Sequence, residues 1–218
     1  MLTLKTSKAR ENILAKIRKG LNEGTVAIPF PEVEKDTSPV FAKSDLSPEE
    51  TFAEAFIQLG GKFVFCENEQ ELLGHIADLY ESRQWKQLLC ADKHLLQLFQ
   101  NNKLDIAGDA ACNDGTADAC ITGCEMLVAR TGSAIISSNQ YLGRTSTVFY
   151  PVHIIVAYAG QLVTDIDTAL AGLKKRYGNT LPSMVNLNTG PSRTADIEKT
   201  LVVGVHGPGE VFCFYINA

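Results

Sequence analysis

The chain has 218 residues, of which 45% are hydrophobic and 21% are charged, and these fractions are typical of globular rather than disordered proteins. Its formal net charge is −5 at pH 7, which argues against a general nucleic-acid-binding role because such proteins usually carry a basic domain or stripe. No apolar run approaches the ~18 residues of a membrane span, and the N-terminus lacks the pattern of a signal peptide. We therefore expect a cytoplasmic protein with no nucleic-acid partner and no membrane span.

The first 46 residues differ in composition from the rest of the chain. Residues 7–21 are predicted to form a basic amphipathic helix, because Ile13, Ile17 and Leu21 recur at four-residue spacing. Residues 22–48 contain four of the eight prolines, which is typical of a linker. The sequence thus predicts an arm over 1–46 and a domain over 47–218. The basic helix either docks on a partner or folds against the domain.

Strand and helix signals alternate within the domain. Ser47, followed by Pro48 and Glu50, predicts a capped helix start. The other predicted helices cover residues 70–81, 93–100, 163–177 and 194–201, with a short one opened by residues 122–125. The predicted strands cover residues 62–66, 87–90, 133–137, 147–150, 153–158, 184–187 and 210–216. This alternation favours a layered α/β fold whose mostly parallel sheet is covered on both faces, with ligands bound beyond the carboxyl ends of its strands.

The six cysteines are spread along the chain, and we expect buried, reduced thiols. Cys112, Cys120 and Cys124 do not repeat the paired two-residue spacing that zinc and iron–sulfur sites usually show. The sequence therefore predicts neither an iron–sulfur cluster nor a metal site in this chain, and it does not identify a cofactor.

The segment from residue 190 to 198 follows a predicted strand and opens a predicted helix. Gly190 begins a tight turn, Ser192 and Thr194 supply hydroxyl groups, and Arg193 supplies a cation suited to carboxylate or phosphate. We expect these residues to bind a small anion together with the free amides of the helix start. The alternative is that Ser192 or Thr194 only caps the helix, with Asp196 favourable to its dipole.

A second glycine-rich segment, residues 204–210, separates that helix from the last strand. His206 lies within it beside Gly207, and an imidazole there could act as a general acid–base. The alternative is a structural histidine that ties loops together.

Two more segments carry arginines next to predicted strands. Arg130 precedes Thr131 and Gly132, and Arg144 follows Gly143. Together with Arg193 these side chains could form a shared electropositive mouth for an anion. The alternative is that each arginine makes its own surface or ion-pair contact.

Four motifs in order give the sequence a family resemblance. They are ARTGSAII (129–136), GRTSTVFYPVHIIV (143–156), GPSRTADIE (190–198) and GVHGP (204–208). They resemble the lactate-utilisation protein C family, whose shared module is the LUD domain, over roughly residues 47–218. Two departures from the family pattern are Ser133, where threonine is frequent, and Arg130, where an acidic residue is common.

The resemblance implies a fold similar to the group of sugar-phosphate isomerases, CoA-transferases and formyltetrahydrofolate cyclo-ligases. It also implies a role in oxidising L-lactate to pyruvate beside cysteine-rich and iron–sulfur partner proteins. The resemblance does not identify catalytic residues. From the residues themselves we expect a small anionic metabolite as ligand, with His206 and Asp196 as the candidate catalytic residues. The alternative function is a stand-alone isomerase or acyl/CoA-transferase acting on a phosphorylated or carboxylated metabolite, with Asp196, Glu198 or Glu125 as its carboxylate.

Overall fold

The structure is a computed structural model, and it describes residues 8–22, 45–90, 92–104, 106–108, 116–140, 143–197 and 200–217. The chain divides into two compact units, Met1–Lys43 and Ser44–Ala218. In the first unit, helix α1 covers Lys8–Asn22, which confirms the predicted helix. Its apolar side chains Ile13, Ile17 and Leu21 are all exposed. Among the described residues, no helix combines the length and apolarity needed to cross a bilayer.

The second unit begins with the predicted capped helix, α2 (Pro48–Gln58). The Glu50 amide donates to Ser47 Oγ at 3.2 Å and the Ser47 amide donates to Glu50 Oε2 at 2.9 Å. The next elements also confirm the sequence predictions to within two residues: β1 (Lys62–Cys66), α3 (Glu69–Arg83), β2 (Leu88–Cys90) and α4 (Lys93–Asn101). Each of these helices starts at a side chain that accepts its first free amides, which local sequence alone can supply.

The rest of the unit is mainly β-structure. Its strands are β3 (Ala119–Thr122), β4 (Met126–Val128), β5 (Ser133–Ser137), β6 (Val152–Tyr158), β7 (Leu162–Val163), β8 (Val185–Asn188), β9 (Arg193–Ile197), β10 (Thr200–Val203) and β11 (Glu210–Ile216). Helix α5 (Ile166–Tyr177) lies between β7 and β8.

The central sheet has five strands in the order β1-β11-β6-β3-β2, and every neighbouring pair is parallel. One face packs against α3 and α4 in a cluster that includes Leu72, Phe99, Ile154 and Phe214. This arrangement confirms the predicted α/β fold with a mostly parallel sheet.

The other face of the central sheet is covered by α2 and a second sheet rather than by helices alone. The second sheet has the order β7-β4-β5-β8. Phe56 of α2 and Leu127 of β4 pack against Ile155 and Tyr215 of the central sheet. On the outer side of the second sheet, Met126 and Ile135 pack against Leu173 of α5.

Three predicted elements are wrong. Residues 122–125 do not open a helix: Thr122 ends β3, and residues 123–125 connect it to β4. The side chains of Thr122 and Glu125 bind partners on other elements instead of helix amides. Residues 147–150 form turns instead of a strand. The helix predicted over residues 194–201 does not form in the described part of that range, 194–197 and 200–201: β9 and β10 pair antiparallel, with Thr194 opposite Val202. Threonine, isoleucine and valine favour an extended backbone, and antiparallel pairing satisfies the amides that a helix would otherwise have used.

Candidate functional site

The structure brings the two glycine-rich segments together at the base of the β9–β10 hairpin. The Ser192 amide donates to the Pro208 carbonyl, and the Gly204 amide donates to the Ser192 carbonyl, both at 2.9 Å. A Cβ atom on Gly207 would lie only 3.0 Å from the Cβ of Ser192. The two segments therefore form one packed loop pair, although nearly a dozen residues separate them in the sequence.

A cavity of about 360 Å³ opens beside this loop pair. Its walls are residues 148–151, which precede β6, and residues 204–207, which precede β11. His206 is exposed and supplies the only imidazole among the lining residues. Because both wall segments lead into their strands, this cavity, called here the His206 cavity, lies at the amino edge of the central sheet.

The predicted helix that would supply amides beside Arg193 is wrong, because these residues lead into strand β9. The Ser192 amide is already bonded to Pro208, and Thr194 lies within β9. The Arg193 guanidinium donates to the carbonyl of Leu59, the residue that ends α2. Arg193 thus binds the negative end of a helix dipole, a common position for a cation.

Gly190 supports the same contact with α2. Its φ of +109° lies in a region that L side chains rarely adopt, and an added Cβ would lie 3.2 Å from the Leu59 carbonyl oxygen. A glycine is required here because a backbone with positive φ passes close to another backbone.

Arg130 makes a two-pronged ion pair. Its Nε donates to Asp165 Oδ2 at 2.8 Å, and its Nη2 donates to Oδ1 at 2.7 Å. Asp165 also accepts the Ile166 amide at the start of α5. The hydrogen bond from Arg130 lowers the pKa of Asp165. This is the ion-pair alternative considered for Arg130.

Of the neighbouring residues, Gly132 packs against α2 and Thr131 accepts a hydrogen bond from Ser133. The Ser133 hydroxyl donates to Thr131 Oγ1 at 2.8 Å. Gly132 has a φ of +57°, and a Cβ there would lie 2.4 Å from the Phe56 backbone nitrogen. Both residues therefore have a clear structural role.

Arg144 donates to Ser183 Oγ at 2.5 Å. The three arginines expected to share an electropositive mouth are thus hydrogen-bonded to three different partners, Ser183, Asp165 and Leu59. Each arginine therefore makes a contact of its own, which is the alternative to a shared electropositive mouth.

Among the candidate carboxylates, Glu125 is buried and fully engaged. It accepts hydrogen bonds from Ser137 and Tyr177 at 2.6 Å each and from Arg176 at 2.5 Å. Burial, followed by the Glu125 hydrogen bond, raises the pKa of Tyr177. The cluster joins β5 to the end of α5, which explains why Glu125 does not cap a helix. Asp196 lies in β9. Glu198 lies outside the described residues.

His153 is a polar core residue that was not among the predicted site residues. It is fully buried in β6, and its Nε2 is 2.8 Å from Thr122 Oγ1. Its Nδ1 has no hydrogen-bond partner among the described residues. Burial lowers the pKa of His153 to about 4, so the ring is neutral at pH 7. The sequence signal for its burial was its position within the apolar run VHIIVAY, which is typical of a buried strand.

The five described cysteines are free and buried, as predicted, and Cys112 lies outside the described residues. Burial raises the pKa of Cys66 to about 11 and that of Cys90 to about 12. These thiols are therefore protonated at neutral pH and weakly nucleophilic.

A second cavity lies at the opposite, carboxyl edge of the central sheet. It has a volume of about 300 Å³, and its lining includes Asp92, His94 and Tyr158. Asp92 is the residue that caps α4, with its side chain accepting the His94 and Leu95 amides. Nothing in the sequence near Asp92 indicates that β3 and β6 lie beside it.

Comparison with known proteins identifies relatives of the second unit. The LUD domain family matches residues 49–216. Lactate utilization protein C of Bacillus licheniformis is 34% identical over 108 residues, which are 46% of this chain and 45% of that protein. Lactate utilization protein C of Bacillus subtilis strain 168 is 35% identical over 94 residues, which are 42% of this chain and 39% of that protein. The match therefore spans less than half the length of these curated relatives.

One solved structure supports the fold. The crystal structure of a DUF162 family protein from Deinococcus radiodurans aligns with a TM-score of 0.58 at 20% identity. The alignment covers 79% of this chain and 99% of that one.

Proposed function

Since this chain belongs to the LUD domain family, we propose that it is a subunit of a lactate-utilisation system in which L-lactate is oxidised to pyruvate. The observation that carries the proposal is its 34–35% identity to two proteins named Lactate utilization protein C. Oxidation of L-lactate to pyruvate releases two electrons and two protons, which need an acceptor. We assign the acceptor to cysteine-rich and iron–sulfur partner proteins, and ligand binding to this chain.

The proposed ligand is a small anionic metabolite bound in the His206 cavity. The loop pair holds the wall in place through the hydrogen bonds of Ser192 with Pro208 and Gly204. His206 stands in that wall with no partner that would occupy its ring among the described residues, so its ring N–H can donate a hydrogen bond to a carboxylate. In this proposal Gly190, Arg193 and Thr194 hold the loop pair by binding α2 and β10, and they do not contact the ligand.

Growth tests the system-level proposal. A host that encodes this chain and grows on L-lactate should lose that growth when the gene is deleted, and should still grow on pyruvate. Restoring the gene should restore growth on L-lactate. Equal growth of the deletion strain on both carbon sources would refute the assignment.

Binding tests the site. Titration of the purified chain with L-lactate and pyruvate should give saturable binding that His206→Ala weakens by about ten-fold, the loss expected for one charge-assisted hydrogen bond. The matched control is His75→Ala, which removes an exposed imidazole on α3 and should leave binding unchanged. Equal binding by both variants, or no binding by the wild type, would reject the His206 cavity as the site.

A further inference from the structure

The cavity at the carboxyl edge of the central sheet is a second candidate binding site, separate from the His206 cavity. It lies where β2, β3 and β6 end, and four chain segments contribute to its lining, among them residues 92–95 and 123–124. Ligands of open parallel sheets bind beyond the carboxyl ends of the strands. Its volume of about 300 Å³ is at the lower end of the range for small-molecule sites.

Asp92 presents one free carboxylate oxygen at this edge. Its Oδ1 accepts the amides of His94 at 2.9 Å and Leu95 at 3.0 Å, so the first amides of α4 are already satisfied. Its Oδ2 points toward Gly123, where an added Cβ would lie 3.0 Å away. Among the described residues, no group donates a hydrogen bond to Oδ2.

The opposite wall is held firmly by Tyr158 and Gln161. The Tyr158 amide donates to Gln161 Oε1 at 2.8 Å, and Gln161 Nε2 donates to the Cys124 carbonyl at 2.5 Å. The Tyr158 hydroxyl donates to Glu69 Oε1 at 2.7 Å. Its ring meets the His94 ring edge-on, with the two centroids 6.3 Å apart.

These groups select the chemistry of a ligand. The lining offers a hydrogen-bond acceptor, the Asp92 Oδ2 atom, and it includes neither lysine nor arginine. An anionic ligand is therefore disfavoured and a neutral ligand rich in hydroxyl donors is favoured. A carboxylate oxygen can accept from both hydroxyls of a vicinal diol, and the rings of His94 and Tyr158, which meet edge-on, each offer an apolar face beside it.

We propose that this cavity binds a ligand carrying a vicinal diol, such as the ribose of a nucleoside, through the Asp92 carboxylate. The base of a nucleoside would lie along the rings of His94 and Tyr158. The inference does not depend on the lactate proposal, because the two cavities lie at opposite edges of the sheet.

Nuclear magnetic resonance titration of the full chain with adenosine tests it. We expect saturable shifts of the Gly123 and Gln161 amides, and binding at least about ten-fold weaker for 2′,3′-dideoxyadenosine, which lacks the diol. D-ribose distinguishes the source of the diol: equal affinity for D-ribose and adenosine would support the diol contact and assign the site to a free sugar.

Three variants complete the test. Asp92→Asn keeps a good helix cap but can place a donor where Oδ2 was, and should weaken adenosine binding about ten-fold. Asp167→Asn makes the same charge change in the exposed first turn of α5 and should bind normally. Gly123→Ala places a methyl group against Asp92 and should block the cavity.

Three results would overturn the proposal. They are the absence of adenosine shifts in the wild type, equal binding of the dideoxy compound, and unchanged binding in Asp92→Asn.

Discussion

At the scale of single residues, burial decides what His153 can do. The ring is fully buried, and its pKa of about 4 lies below the ordinary value of 6.5 because burial disfavours the charged form. A neutral, enclosed imidazole with one hydrogen bond, to Thr122, is a structural group of the core. His206, in contrast, is exposed in a cavity wall, where a ligand can reach it.

His153 should make stability depend on pH. Its pKa is lower in the folded state, so the unfolded state binds more protons between pH 6.5 and pH 4. The contribution of His153 to the free energy of unfolding is therefore complete above pH 6.5 and is lost as the pH falls toward 4. Between pH 7 and pH 5 the free energy of unfolding should fall by about 2 kcal/mol from this group.

Urea unfolding at pH 7 and pH 5 measures this effect. His153→Gln lacks the titrating ring, so it should lose less stability than the wild type over the same pH range, whatever the carboxylates contribute to both. An equal loss in the two proteins would contradict the assignment.

At the scale of elements, close backbone contacts join α2 to the rest of the domain. The turn before β5 reaches α2 at Gly132, and the turn before β9 reaches its end at Gly190. Arg193 adds a hydrogen bond to Leu59 at that end. Residues of the four motifs thus contact α2 directly, which gives them a structural role apart from any ligand.

Gly132→Ala should destabilise the domain by more than about 2 kcal/mol. The positive φ strains a non-glycine residue, and the methyl group would lie 2.4 Å from the Phe56 backbone nitrogen, which cannot move aside alone. Denaturant unfolding measures the loss.

The control is Gly74→Ala on α3, where nothing lies within 4 Å of the added methyl. This change should stabilise the protein by about 0.5–1 kcal/mol, because alanine is the better helix former. Similar losses in both variants would show that the α2 contact is not the cause.

At the scale of the whole molecule, the described hydrophobic clusters all belong to the second unit. Their residues lie between Phe52 and Ile216. Helix α1, in the first unit, carries exposed Ile13, Ile17 and Leu21 beside its basic residues. We propose that the first unit is a partner-binding arm and that the second folds and binds ligand by itself.

A chain lacking residues 1–43 should therefore keep its thermal midpoint to within about 3 °C and lose association with the partner proteins. Thermal unfolding and co-purification measure the two effects. A much lower midpoint would mean that the arm contributes to the core, and retained association would place the partner surface on the domain.

The sequence by itself determined the features that depend on neighbouring residues. Ser47 and Asp92 cap helices by accepting amides within three residues of themselves. The short apolar runs of β1, β6 and β11 are typical of strands buried in a parallel sheet. These local signals, with the order of the elements, were enough for the α/β fold. The four motifs were enough for the family.

Only the tertiary structure decided which polar groups meet. Thr122 and Glu125 have the spacing of a capping box, yet their side chains bind His153 on β6 and a cluster with α5. The sequence after Gly190 resembles a helix start, yet its described residues form β9 and β10, which pair antiparallel. The cavity beside Asp92 exists because β2, β3 and β6 end at one edge. The physical reason is that a buried polar group binds the partner that packing places within hydrogen-bond distance. The spacing of residues along the sequence does not determine the distance between groups on different elements.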